Sequence, residues 1–450
     1  MSAIIVRFFD RLHFTFKSFL KFTFGLLFIV TCIVVSAQQP NIIYIMTDDM
    51  GYGDLSCYGQ KNYSTPNLDK LASQGMKFVN AYSAGTVCTP TRAAFMTGSY
   101  PGRTTVGLIE PLTGTKEDLD VGLTPAVPSL AMRMKSAGYA TALIGKWHLG
   151  ELPQHSPIKN GFEYFFGFHA GASDYISHKS PEGKPDLYEN ESAILRDGYL
   201  TDVFTAKAID FLKQKHKKPF FLALMYNAPH WPWQGPLDRA YPDSTDFRTG
   251  GSAPIFAEMM KSLDNGIGKI MSTLDEEQLS NETIVIFTND NGGERYSDQA
   301  GFSKRKGSVW EGGIRVPAFV RWQGKIKAGV VTEQVVITMD WTATILALGK
   351  AKAPRATTAA DGIDLLPLLT GKTAIIERTL YWRTSQRSKQ KAIRSGEWKY
   401  LQDNSGEYLF NLRSDPSEKA DLKQQHTDIL ERLKKQYDAW ENGMLPGVSL

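Results

Sequence analysis

Five short, almost wholly apolar runs are spread along the first three-quarters of the chain: NIIYIM (41–46), ATALI (140–144), FFLALM (220–225), TIVIF (283–287) and VPAFVR (316–321). Apolar character that is continuous, with no alternation, predicts strands covered on both faces. Between them lie amphipathic stretches with helix punctuation. The segment 66–74 follows Thr65 as N-cap, has Pro66 in its first turn and stops at Gly75; 129–137 stops at Gly138. Longer helices are predicted over 200–216 and 255–274. Strand–helix alternation of this kind predicts an α/β fold with a doubly wound, mostly parallel sheet and right-handed crossovers. From about residue 376 the texture changes. TLYWRT, KAIRSGEWKYLQ and GEYLFNLRSD read as short antiparallel strands, and a helix follows over 427–440. The chain thus divides into a main domain over 38–375 and a small C-terminal α+β subdomain, antiparallel sheet plus helix, over 376–450. GIDLLPLL (362–369) forms the connection.

The N-terminus follows neither pattern. Four basic residues (Arg7, Arg11, Lys17, Lys21) precede the apolar run FTFGLLFIVTCIVVSA (22–37), which closes on Val35-Ser36-Ala37. Its sixteen residues fall short of the roughly 20 needed for a membrane span. This reads as a secretory signal peptide over 1–37, the alternative being an uncleaved signal anchor. The mature protein is expected to be exported, periplasmic or secreted, with no stable membrane span. Its 42% hydrophobic and 22% charged residues exclude a disordered, collagen-like or coiled-coil protein. The 51 basic and 47 acidic residues give a net charge of +4, of which the leader carries +3. A near-neutral body has no nucleic-acid footprint. Beyond Cys32 in the leader, only Cys57 and Cys88 remain. One bridge would be a thin framework for a body of this size, so the core must hold the fold.

The polar residues that break the pattern fall just past the carboxyl ends of the predicted strands. They are Thr47-Asp48-Asp49, Gly145-Lys146-Trp147-His148, Asn227-Ala228-Pro229-His230 and Asn289-Asp290-Asn291. In open α/β sheets that edge binds ligands. Asp48, Asp49, Asp290 and Asn291 are hard oxygen donors, and carboxylates converging without partners would repel one another. All-oxygen ligation points to Ca²⁺ or Mg²⁺ over Zn²⁺, and in an exported protein to Ca²⁺. Cys88 opens a predicted short helix, CTPTRAAFMT before Gly98, with Arg92 one turn on. A nucleophile position, a cation and a helix N-terminus together make a site for an oxyanion.

Cys88-x-Pro90-x-Arg92, followed by TGSYPGR (97–103), resembles the signature of the type I sulfatases of the alkaline phosphatase-like superfamily. The resemblance extends through PNIIYIMTDDMGYGD (40–54), GKWHLG (145–150), NAPHWP (227–232), TNDNGG (288–293), KGSVWEGGIRVP (306–317) and LFNLRSDPSEKADL (409–422), in family order. It implies a sulfuric ester hydrolase whose 38–375 segment is the catalytic domain. It also implies that a maturation enzyme oxidises Cys88 to Cα-formylglycine, whose hydrated aldehyde is the nucleophile. One hydroxyl of that diol attacks sulfur and the second later expels sulfate, an exit that a thiol lacks. By the same resemblance, Asp48, Asp49, Asp290 and Asn291 hold one Ca²⁺, to which residue 88 is also a ligand. Arg92 and Lys146 stabilise the hydrate and the sulfate, and His148 is the base that collapses the sulfated intermediate. His230 and Lys306 bind sulfate and help protonate the leaving oxygen. Thr91 departs from the family pattern, where serine or alanine is usual.

Likeness to glycan-degrading sulfatases implies a sulfated carbohydrate substrate of galactose or N-acetylgalactosamine configuration. Loops around the pocket offer Asp174, His178, Trp231 and Arg295 as substrate-binding residues. Two other readings fit the same residues: a phosphonate or phosphate ester hydrolase of the superfamily, and a non-catalytic glycan-binding relative.

Overall fold

The apolar runs hydrogen-bond to one another as the centre of a single ten-stranded sheet. In the computed structural model, residues 39–242, 245–351, 361–386 and 388–447 are described. The segment 1–37, read as a signal peptide, lies outside them. The strands in chain order are β1 (Asn41–Thr47), β2 (Met76–Tyr82), β3 (Ala140–Lys146), β4 (Tyr164–Phe168), β5 (Tyr188–Glu189), β6 (Ser192–Ala193), β7 (Phe220–Met225), β8 (Thr283–Asn289), β9 (Ala318–Trp322) and β10 (Val330–Ile337). Their spatial order is β10-β2-β9-β8-β1-β7-β3-β4-β5-β6. Four of the five predicted strands are therefore direct neighbours, β8-β1-β7-β3, and all pair in parallel. Side chains of β1 alternate between two cores. Ile42, Tyr44 and Met46 pack on one face, Ile43 and Ile45 on the other, all fully buried. Helices on both faces explain why no polar alternation appears in the sequence.

The fifth predicted strand, β9, pairs antiparallel with both neighbours, β8 and β2. The reason is connectivity. The chain leaves β8 at the carboxyl edge, stays there through residues 290–317, and must run back to rejoin the sheet. That detour carries Lys306 and a four-residue helix, Glu311–Ile314, along the rim. Strands β2 and β10 escape a search for apolar runs because Lys77, Asn80 and the Thr332-Glu333-Gln334 triplet interrupt them. Helix ends follow the caps unevenly. Ser129 accepts from the Met132 amide at 3.1 Å, whereas the Thr65 hydroxyl accepts from the Ser56 amide instead of capping its helix.

The C-terminal strands β11 (Thr379–Arg383), β12 (Lys391–Ser395), β13 (Trp398–Asp403) and β14 (Gly406–Asn411) form the expected antiparallel meander, with a helix over Thr427–Glu441. They share a core with the main sheet, where Leu380, Trp382 and Leu401 pack with Tyr82, Tyr100 and Ile314. Residues from Pro40 onward accordingly form one unit. Among the described residues no helix is long and apolar enough to cross a membrane.

A buried ionic cluster joins the two sheets. Lys399 of β13 places its ammonium 2.8 Å from Glu311 and 2.7 Å from Glu418, all three fully out of water. Glu311 also meets Arg315 at 3.1 Å and the Tyr82 hydroxyl at 2.7 Å. Removing the ammonium leaves Glu418 without a cation in the interior and weakens the pairing of Glu311, so Lys399→Met is expected to cost about 3–5 kcal/mol. Urea unfolding measures this; a loss below about 1 kcal/mol would show that the cluster does not anchor the C-terminal sheet.

Candidate active site

Because β8, β1, β7 and β3 are parallel, their carboxyl ends lie on one edge, and the residues that follow them meet there. The turns are tied together by backbone bonds. The Asp48 amide donates to Ala228 O and the Asp290 amide to Thr47 O, both at 3.2 Å. Gly145 has φ +117°, and a Cβ there would lie 1.9 Å from Met225 O. Only glycine lets β3 approach β7 this closely and deliver Lys146 to the rim. Asp49 and His148 sit at positive φ, 63° and 55°, a conformation costly for residues with a Cβ and held here by the surrounding contacts. Cys88 opens a ten-residue helix, Cys88–Thr97, that is buried throughout and ends at left-handed Gly98.

Three carboxylates face three cations. Asp48 Oδ2 lies 2.5 Å from Lys146 Nζ and 3.6 Å from Arg92 Nη2, while its Oδ1 is 3.5 Å from Cys88 Sγ. Asp290 Oδ2 accepts from Arg92 Nε and Nη2 at 3.2 and 3.0 Å. Asp49 Oδ2 lies 2.6 Å from Lys306 Nζ and 3.5 Å from His230 Nε2, and its Oδ1 accepts from Asn291 Nδ2 at 2.8 Å. The carboxylates expected to repel one another thus each have a cationic partner. Burial still dominates for two of them. It pushes Asp49 up to about 6 against the pull of Lys306, and Asp290 up to about 7, with the Asp48 charge adding to the rise. For Asp48, burial is outweighed by the cations beside it, Lys146 above all and then Arg92, which hold it below the usual carboxylate range. Burial also raises the Cys88 thiol to about 12, so the unmodified side chain is no thiolate at neutral pH.

The donor set fits a divalent cation. Ligand atoms of Asp48, Asp49, Cys88 and His230 lie within 4.8 Å of one another. Asn291 Oδ1 is buried with no hydrogen-bond partner, a cost that a cation would remove. Asp290 is linked to this group, since its Oδ1 accepts from the Asp49 amide at 3.3 Å. An added cation would favour the ionised forms of Asp49 and Asp290, which burial alone opposes.

Both histidines have their tautomer fixed by a carbonyl, which can only accept. His148 Nε2 donates to Leu112 O at 3.0 Å, leaving Nδ1 buried, bearing its lone pair and without a partner. His230 Nδ1 donates to Trp231 O at 2.6 Å, which turns the Nε2 lone pair toward the carboxylates. Burial holds both rings below the ordinary histidine range, with Lys146 adding to the effect at each. Lys306 is the reverse case: burial would lower it, but Asp49 prevails and raises it. Cys88, His148, His230 and Lys306 line a cavity of about 390 Å³ that also touches Glu182, Trp231 and Arg248.

The structure redistributes the four expected substrate-binding residues. Trp231 lines the cavity. Asp174 does not: its carboxylate accepts from the Ile176, Ser177 and Tyr241 amides and from Gln234 Nε2, and it is 1% exposed. His178 is turned away to Gly198 O at 2.9 Å. Arg295 stacks over Trp233 at 5.2 Å and donates to Arg248 O at 3.4 Å, outside the cavity wall. Sequence patterns attract attention to polar residues near motifs, and here such residues build the loops. What they missed is the Leu112 carbonyl and Gly171, where a Cβ would lie 2.7 Å from His148 Nε2. Neither leaves a mark in side-chain chemistry.

Comparison with known proteins agrees with this geometry. The sulfatase family profile matches residues 40–351, and a profile described as N-sulphoglucosamine sulphohydrolase, C-terminal, matches 299–442. The chain is 35% identical over 368 residues to an N-acetylgalactosamine-6-sulfatase of Canis lupus familiaris, covering 77% of this chain and 69% of that one. It is 31% identical over 492 residues to an N-acetylgalactosamine-6-O-sulfatase of Bacteroides thetaiotaomicron, covering 89% and 93%. A crystal structure described as Ps i-CgsB in complex with k-i-k-neocarrahexaose superposes with a TM-score of 0.80 at 30% identity, covering 90% and 93%. With two-thirds of its length inside the family profile and its rim residues gathered round one cavity, the chain belongs to the sulfatase family and is a sulfuric ester hydrolase.

Proposed function

We propose that this sulfatase is exported and removes sulfate from a carbohydrate of galactose or N-acetylgalactosamine configuration, using formylglycine made from Cys88 and a bound Ca²⁺. One observation carries the reading: residue 88 shares the wall of a single cavity with His148, His230 and Lys306, at the start of a helix and 3.5 Å from Asp48. The relatives' names, N-acetylgalactosamine-6-sulfatase and N-acetylgalactosamine-6-O-sulfatase, and the oligosaccharide bound to the similar crystal structure support the carbohydrate class.

Oxidised residue 88 supplies an oxygen nucleophile in place of a buried, protonated thiol. Asp48, Asp49, Asp290 and Asn291 would hold the Ca²⁺, which supplies positive charge beside the sulfuryl oxygens. The charge count explains the need for it. Three carboxylates and three cations balance, so an entering sulfate ester leaves one negative charge in excess, which a divalent cation reverses. Arg92, clamped on Asp290, and Lys146, clamped on Asp48, hold fixed positive charge where the anion develops, at no reorganisation cost. His148, neutral with Nδ1 free and in the wall of the same cavity as residue 88, accepts a proton. Lys306 keeps its proton and presents a donor to the ester oxygen, with His230 beside it.

Wild-type protein co-produced with a formylglycine-generating enzyme is expected to show an aldehyde at residue 88 by mass spectrometry and to hydrolyse aryl sulfate in preference to aryl phosphate. Cys88→Ala abolishes turnover, and His148→Ala lowers kcat by about 10²–10⁴. Dominant phosphatase activity, or a fully active Cys88→Ala protein, would overturn the reading.

The cation has its own test. Asp49 and Asp290 have folded values raised to about 6 and 7 without it, so their unfolded forms, near 3.9, ionise first. Chelated protein should therefore lose stability as pH rises from about 4 to 7. Calcium should raise Tm most at the upper end of that window. Equal Tm with and without calcium at pH 7 would contradict the assignment.

A further inference from the structure

The catalytic cavity does not end at Trp231. A second cleft of about 260 Å³ adjoins it, and the two share Pro111, Trp231, Arg248 and Lys306 as a common wall. The far side of this cleft is formed by Glu110, Glu294, Thr384 and Ser388, so it reaches from the main sheet toward the C-terminal one. Arg248 stands on the partition. Its guanidinium lies 5.3 Å from the centre of the Trp231 ring, and the residue is solvent-exposed. Among the described residues no carboxylate forms an ion pair with it, whereas Arg92 and Arg315 are each paired with one.

An exposed arginine would ordinarily be mobile, but this one is mounted on a braced loop. The Arg248 amide donates to Asp246 Oδ1 at 3.0 Å and its carbonyl accepts from Arg295 at 3.4 Å. The Tyr296 hydroxyl donates to Gly250 O and Gly251 O at 3.2 and 3.1 Å. Arg295 and Tyr296 lie four and five residues past Asn291, so the brace grows out of the site itself. A guanidinium carried on a braced backbone, over an indole and with no hydrogen bond from its donors among the described residues, suits a planar or tetrahedral oxyanion that binds through two oxygens. The sulfate to be cleaved belongs beside residue 88, so Arg248 would meet a different anion.

Resting on the carbohydrate reading above, we propose that the substrate spans both clefts as an oligosaccharide, and that Arg248 selects one whose neighbouring sugar carries an anionic group. A uronate carboxylate and a second sulfate share this chemistry. Arg295 and Tyr296 are then positioning residues for Arg248.

The test uses mature enzyme and three disaccharides with the same sulfated end: a neutral neighbour, a uronate neighbour and a sulfated neighbour. Wild type is expected to favour one or both anionic neighbours in kcat/KM, and which one identifies the source. In Arg248→Ala that preference over the neutral disaccharide should fall about five- to tenfold, mainly through KM. Arg248→Lys should keep part of it, and raising the salt should erase it in wild type. Wild type without preference, or Arg248→Ala with its preference intact, overturns the proposal. Hydrolysis of aryl sulfate with no turnover of any sugar defeats the carbohydrate reading, and this inference with it.

Discussion

The structure depends on a burial problem at one sheet edge. Asp48, Asp49 and Asp290 are each 0–1% exposed, and a buried carboxylate is tolerated only when paired and hydrogen-bonded. Each pairing draws in a distant stretch of chain: Lys146 from β3, Arg92 from the Cys88 helix, Lys306 from the detour between β8 and β9. The constraint that makes the edge expensive is the one that gathers the catalytic groups. It also explains why the rim tolerates non-glycine residues at positive φ, since packing and ion pairs overdetermine their backbone.

Parallel pairing does the positioning. Four consecutive neighbours in the sheet are four strands far apart in sequence, and the residues after them meet without any one loop having to be long. The reversal at β9 adds the one group that parallel strands cannot supply from their own ends, Lys306. The C-terminal sheet is fastened through Lys399, Glu311 and Glu418 to the short helix that closes the same detour. Stability of that cluster and placement of Lys306 are therefore connected through a few residues of chain.

Much of this is legible in the residues. Strands β1, β3, β7 and β8 announce themselves because both faces are covered, so nothing polar interrupts them. The polar residues at their ends then stand out by contrast, and the spacing Cys88-x-Pro90-x-Arg92 places anion-binding groups one helical turn apart. Strands β2 and β10 are hidden because partial exposure mixes polar residues into them. Asp174 and His178 misled for a different reason: a buried loop needs carboxylates and rings to satisfy its own amides and carbonyls, and composition cannot tell that use from ligand binding. The Leu112 carbonyl, which sets the His148 tautomer, is backbone and has no signature. Arg248 was obscured by ordinary surface charge; only its place on the partition and the absence of a described ion-pair partner set it apart.

The central claim is that the buried carboxylates form a cation site beside residue 88. Anomalous X-ray diffraction from crystals of the mature protein grown with calcium tests it most directly. One anomalous peak is expected within about 2.3–2.6 Å of oxygens from Asp48, Asp49, Asp290 and Asn291, adjoining residue 88. A calcium-soaked crystal with no peak there, and the three carboxylates still closed on Lys146, Lys306 and Arg92, would contradict it.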